Sequence, residues 1–204
     1  MSRLRRIVLV RHGETVGNSS ERFHGSSDVA LSDAGRAQMS EAAFALRTEA
    51  FDLVVASPLQ RSWTSASIVS AGAPVRLDAR LREVHFGRWE GMTLEEIQTS
   101  DPVLCADWQS QAPGFEYPSG ERRADFRARV EAGLDAILES GASAALLVVH
   151  KGVIRVIVEK LTGEVLAKGE PPLGGHIGLS RNTDGTWFRG RHSSNPPALD
   201  EQAA

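Results

Sequence analysis

The sequence predicts an α/β fold of three layers, a mostly parallel sheet with helices on both faces and a small cap insertion. Three observations lead there. Residues 7–10, 53–56 and 144–149 are short β-branched or aliphatic runs, the pattern of strands buried on both faces. Between them lie stretches with apolar residues at helical spacing, the alternation that builds parallel crossovers. Residues 82–120 break that alternation with Pro102, Pro113 and Pro118, which outlines a cap.

Taken in order, the first strand ends at Arg11 and His12, where Gly13 frees the backbone to turn. A loop rich in Gly, Ser and Asn covers residues 13–29 and is long enough to line a site. Ser32 opens a helix with Met39, Ala43 and Leu46 on one face. The second strand leads to a helix capped by Ser57, with Pro58 as its first residue, Arg61 in its first turn and Leu59, Trp63 and Ala66 as its apolar face. A third strand is expected at residues 75–77 and a short helix near 93–98, followed by loops through the three prolines. A long helix over 121–139 carries Phe126, Val130, Leu134 and Ile137 or Leu138 at helical spacing. The fourth strand and its helix over 152–161 follow, then edge strands at 177–180 and 186–188. The expected organisation is one domain over residues 1–192, with the cap at about 88–120. The polar, Ala-ended tail 193–204 is expected to be disordered.

Composition excludes more than it selects. A chain of 204 residues with 41% hydrophobic and 24% charged residues suits one soluble domain with a sizeable core. A net charge of −3 argues against a basic-patch nucleic-acid binder. Of 23 basic residues only three are lysines. The planar fork of Arg suits phosphate and carboxylate, although a GC-rich genome gives the same bias. Cys105 is the single cysteine, so neither a disulfide framework nor a CxxC site can form. Arg3, Arg5 and Arg6 ahead of residues 7–10 imitate a signal peptide, but four apolar residues cut off by Arg11 are too few. No run reaches membrane-spanning length, so a cytoplasmic protein without membrane partners is expected.

Strand ends carry the chemistry. The first delivers Arg11 and His12, the second leads to Arg61, and the fourth ends on His150, Lys151 and Gly152. In a parallel sheet these share the carboxyl edge, where open α/β sheets place their ligand crevice. Two imidazoles and two guanidiniums converging there are hard to explain as core packing.

The residues that do so also lie in recognisable motifs. Residues 9–15 (LVRHGET) with Asn18 and 22–25 (RFHG), then 56–61 (ASPLQR), 81–91 (LREVHFGRWEG) and 148–152 (VVHKG) occur in order between about residues 5 and 190. The chain thereby resembles the histidine phosphatase superfamily, in the branch that includes cofactor-dependent phosphoglycerate mutases and small phosphomonoesterases. The resemblance implies that His12 attacks phosphorus through one ring nitrogen and forms a phosphohistidine. Arg11 and Arg61 would clamp the phosphoryl oxygens bidentately, with His150, Asn18 and the amide of Lys151 or Gly152 as further donors. Arg22, His24 and Gly25 would belong to the substrate loop. Glu83 would donate the proton to the leaving oxygen, since like-charge repulsion from a bound dianion favours a protonated carboxyl.

Glu14, Glu90 and Glu121 are weaker acid candidates; Glu90 and Glu121 fit better as braces for arginines or as a helix cap. His85 reads as structural, His176 as a rim residue and His192 as solvent-facing. No His pair has zinc-site spacing, so neither metal nor cofactor is expected. Lys151 stands where relatives commonly carry a small residue, Arg122 where they often carry Ser, and only 29 residues separate Gly91 from Glu121. That gap is short beside the mutases' insertion, and a brief lid shields a phosphoenzyme poorly from water. The expected function is therefore hydrolysis of small phosphomonoester metabolites. A mutase and a non-catalytic phospho-ligand or phosphoprotein binding module are the alternatives. Arg22, Arg82, Arg122, Arg123 and Arg181 on rim loops would favour a second anionic group or be ordinary surface charge. A homodimer stays open.

Overall fold

The computed structural model describes residues 3–17 and 21–190. Asn18, His192 and the tail 193–204 lie outside the described residues. Six strands form one sheet in the order β3-β2-β4-β1-β5-β6. They are β1 (Arg6–Arg11), β2 (Leu53–Ala56), β3 (Arg76–Leu77), β4 (Ala144–Val149), β5 (His176–Arg181) and β6 (Trp187–Arg189). β1 to β4 pair in parallel, while β5 runs antiparallel to β1 and β6 antiparallel to β5. The mostly parallel sheet expected from the sequence is therefore correct, with the two edge strands as its antiparallel margin.

The apolar runs are continuous because both sheet faces are covered. Ile7, Leu9, Val55, Leu147 and Val149 point to the face packed by α5 (Arg123–Leu138) and α6 (Lys151–Thr162). The alternating residues Val8, Val10, Val54, Leu146 and Val148 point to the face packed by α1 (Asp33–Leu46) and α2 (Gln60–Val69). β1 and β4 are in register with Arg11 opposite Val149, so His12 and His150 leave the same sheet edge side by side.

The loop after β1 is set by two glycines. A Cβ on Gly35 would lie 2.0 Å from the Glu14 carbonyl oxygen, and one on Gly13 2.3 Å from the Gly35 carbonyl oxygen. Only bare backbone lets the α1 N-terminus press this closely against the strand exit.

Several local expectations need correction. Helix α2 starts at Gln60 with Leu59 as N-cap and no side-chain cap. Ser57 does not cap it at Pro58; its hydroxyl accepts from the Leu59 amide at 3.3 Å within the turn. Trp63 is 40% exposed rather than on the apolar face. In α1 the third buried position is Ala42, not Ala43. The region 101–109 is not loop: α4 (Pro102–Gln109) follows α3 (Leu94–Ser100), and Pro102 occupies the first turn, where its missing N–H costs nothing. The two short helices enclose a separate small cluster of Trp89, Ile97, Cys105 and Phe115, against which Phe23 and Phe86 also pack.

Candidate active site

His12 and His150 meet edge to face, with ring centroids 5.1 Å apart. The His12 Nδ1 lies 2.8 Å from the Gly13 carbonyl oxygen, and Arg61 Nε donates to Nε2 at 3.3 Å. A carbonyl can only accept, so the proton sits on Nδ1 and the Nε2 lone pair is the acceptor of the Arg61 N–H. Burial, then Arg61 and Arg11, hold this imidazole well below its ordinary pKa and keep it neutral. His150 is fully buried, and among the described residues neither of its ring nitrogens has a hydrogen-bond partner. Burial, Arg61 and His12 depress its pKa in the same direction.

Arg11 and Arg61 flank the pair. Arg11 donates from Nη1 to the Pro171 carbonyl at 3.0 Å, and its buried Nε has no hydrogen-bond partner among the described residues. Burial brings its pKa down to about 10. Arg61 is fully buried, and the loop after β1 engages most of its guanidinium. Nη1 reaches the Ser27 carbonyl at 2.7 Å, and Nη2 reaches those of His24 and Gly25 at 2.9 and 2.6 Å. With Nε on His12, one Nη1 hydrogen remains among the described residues. In this arrangement the guanidinium holds the loop and the His12 ring, and it has no full fork left for the expected bidentate clamp on phosphate.

Glu83 reaches the same spot from the third side. One carboxylate oxygen accepts from the Gly152 amide at 3.0 Å and the other from the Val84 amide at 3.0 Å. Lys151, between His150 and Gly152, is half-buried; burial and Arg11 lower its pKa to about 8. Two imidazoles, two guanidiniums and a carboxyl therefore converge on one spot at the carboxyl edge of β1 and β4.

The model for the histidine phosphatase superfamily, branch 1, matches residues 7–181. The chain belongs to this superfamily. This histidine phosphatase is 35% identical over 183 residues to a glucosyl-3-phosphoglycerate phosphatase of Mycolicibacterium vanbaalenii, spanning 85% of this chain and 80% of the relative. It is 33% identical over 160 residues to a probable phosphoglycerate mutase of Yersinia enterocolitica, spanning 77% of this chain and 74% of the relative. The solved structure of a mycobacterial glucosyl-3-phosphoglycerate phosphatase with VO3 superimposes with a TM-score of 0.76 at 30% identity, over 91% of this chain and 97% of that one.

Other expected site residues have different roles in this histidine phosphatase. Arg22 donates from Nη1 to the Gly91 carbonyl at 2.6 Å and to Glu96 at 3.1 Å. It fastens the loop to the segment around α3 rather than facing substrate. Gly25 has no room for a side chain, because a Cβ would lie 2.1 Å from the Val84 carbonyl oxygen. Its amide and carbonyl serve the loop. His24 gives its carbonyl to Arg61, while its buried ring nitrogens have no hydrogen-bond partner among the described residues. Among the described residues no group of three or more His, Cys, Asp or Glu could hold a metal ion. Nor is any helix there long and apolar enough to cross a membrane.

Two supporting residues were undervalued by sequence reasoning. Glu90 accepts from the amides of Gly25, Ser26, Ser27 and Phe86 at 3.2, 2.8, 3.2 and 3.0 Å, and from the Ser27 hydroxyl at 2.5 Å. Burial works to raise its pKa, but these hydrogen bonds outweigh it and hold the carboxyl below its ordinary range. The same loop offers its carbonyls to Arg61, so Glu90 and Arg61 grip one loop from its two polar faces. Glu90→Ala strands several amide donors, each costing about 1–3 kcal/mol where it stays dry. A lower thermal midpoint and a fall in kcat are expected, both partly restored by Glu90→Asp. Arg129 was missed entirely. It donates to the carbonyls of Arg80, Arg82 and Glu83 at 2.8, 2.7 and 3.0 Å while paired with Glu121, so it holds the backbone that carries Glu83. No local signal on a helical polar face announces such a partner. Glu121 accordingly braces Arg129, not the arginines beside His12.

The histidine pair also sets an acid limit. Both rings are neutral when folded, yet in the unfolded chain they protonate with the ordinary value of 6.5. Below that pH the unfolded state binds more protons, so their contribution is complete above it and is lost as pH falls. The urea midpoint should drop from about pH 7 to about pH 5.5 more steeply than in a His150→Gln variant.

Proposed function

We propose that this chain hydrolyses small phosphomonoesters through a phosphohistidine at His12 Nε2. The observation that carries the reading is the orientation of His12: Nδ1–H fixed on the Gly13 carbonyl, Nε2 unprotonated, and His150 at 5.1 Å with two unsatisfied nitrogens. An arriving dianion supplies what His150 lacks. It favours the imidazolium, which then donates to a phosphoryl oxygen beside the Arg11 Nε and the free Arg61 hydrogen.

In the first step Nε2 bonds to phosphorus as the ester P–O bond breaks, and protonated Glu83 gives its proton to the departing oxygen. In the second, the Glu83 carboxylate takes a proton from water. The resulting nucleophile displaces His12 and releases inorganic phosphate. We assign the segment around α3 and α4 the role of a cap over this site, joined to the loop after β1 by Arg22 and by Phe23. The names of relatives acting on phosphoglycerate derivatives support a small phosphorylated metabolite as substrate.

The test follows phosphate release and phosphoryl migration together. Purified protein supplied with 3-phosphoglycerate should release phosphate faster than it forms 2-phosphoglycerate, and rapid quenching should trap acid-labile label on His12. Isomer formation exceeding phosphate release would make it a mutase instead.

A further inference from the structure

Lys151 is a cation without an evident reason to be where it is. It is the first residue of α6, where the positive end of the helix dipole disfavours a lysine, and that first turn contains no acidic residue. It is half-buried, and the charges it feels are mostly of its own sign: Arg11, Arg155 and Lys168, with Glu83 as the one acid among them. Both Glu83 oxygens are already taken by backbone amides. The nearby Glu170 is committed to Arg189 at 3.0 Å.

The two arginines of this cluster are tied down. Arg11 holds the Pro171 carbonyl at 3.0 Å, and Arg155 holds those of Leu166 and Ala167. These bonds draw the segment 166–171, which carries Lys168, toward the strand edge that bears His12 and His150. Lys151 and Lys168 make no ion pair among the described residues. Lys151 thus stands beside His150 and near Arg11, whose buried Nε lacks a hydrogen-bond partner among the described residues, while Lys168 is exposed on the neighbouring segment. Such an excess of like charge costs stability in the empty protein and is relieved by an anion. Burial first, and then Arg11 and the other neighbouring cations, bring the pKa of Lys151 down to about 8.

We infer that Lys151, with Lys168, forms a subsite for a second anionic group on the substrate, so that this enzyme prefers phosphomonoesters bearing a carboxylate or another phosphate near the scissile ester. The inference rests on the phosphatase reading above. It takes the specificity from α6 and the 166–171 segment rather than from Arg22 or Arg181: Arg22 is occupied by Gly91 and Glu96, and Arg181 donates to the Gly185 carbonyl of its own hairpin.

Two substrate pairs test it, each differing by one anion. They are 3-phosphoglycerate against glycerol 3-phosphate, and glucose 1,6-bisphosphate against glucose 6-phosphate. The full-length wild type should favour the doubly anionic member of at least one pair by about tenfold in kcat/KM, the scale of one charged contact. The favoured pair tells carboxylate from phosphate. Lys151→Met should bring that ratio near one by raising KM for the doubly anionic member, while Lys151→Arg keeps it. Lys168→Met should lower it to an intermediate value. Ratios near one in the wild type overturn the subsite whatever the variants do, as does a preference that survives Lys151→Met. Release of phosphate from none of the four substrates would instead count against the phosphatase reading.

Discussion

Replacing His12 by Gln should lower kcat by about 10⁴-fold or more, the scale seen when a covalent nucleophile is removed. Gln can occupy the space and still donate to the Gly13 carbonyl that now takes Nδ1–H at 2.8 Å, but it offers phosphorus no basic lone pair. The covalent step at residue 12 would then be lost. The buried surroundings make the loss steep. Burial and two guanidiniums keep the imidazole unprotonated, the form that the proposed attack requires. Single-turnover quenching should find labelled enzyme in the wild type and none in His12→Gln, with thermal midpoints compared to verify folding. A variant retaining a tenth of the wild-type kcat would exclude the phosphohistidine route.

Gly152→Ala should be nearly as damaging, by a different path. A Cβ at this position would stand 2.4 Å from Glu83 Oε1 and 3.2 Å from the Phe126 ring. The ring belongs to the core of α5, so the carboxylate is the partner that must move. It would lose the Gly152 amide at 3.0 Å and its aim at the leaving oxygen. General acid catalysis contributes about 10²–10⁴-fold, and most of that should vanish for alkyl phosphates. A p-nitrophenolate leaves without needing a proton, so p-nitrophenyl phosphate should be hydrolysed at a rate reduced far less. Glu83→Gln should reproduce the same split. Equal losses on both ester types would show that Glu83 is not the acid and that Gly152 matters only for packing.

The contrast between the two variants reflects how the site is made. The His12 ring is fixed by the next residue along the chain. Glu83 stands on a loop held to α5 through Arg129, and its carboxylate is held to α6 through the Gly152 amide. The first kind of placement is local and the second is not.

That difference separates what the sequence by itself determined from what only the tertiary structure decided. Apolar runs of strand length fixed the strands of the sheet core, because a strand covered on both faces cannot hide a polar residue at either parity. Arg11, His12, His150 and Lys151 could be placed at one edge because parallel strands end together. Pro102 could be read as a break or as a helix start, and only packing against Trp89 and Ile97 chose the helix α4. The roles of Glu90, Arg129 and Arg22 were invisible for the same reason. Their partners are backbone groups of distant loops, and a carbonyl or amide carries no residue identity for a sequence pattern to register. Folding alone decided that the Arg61 guanidinium turns toward three carbonyls and one imidazole instead of offering its full fork to phosphate.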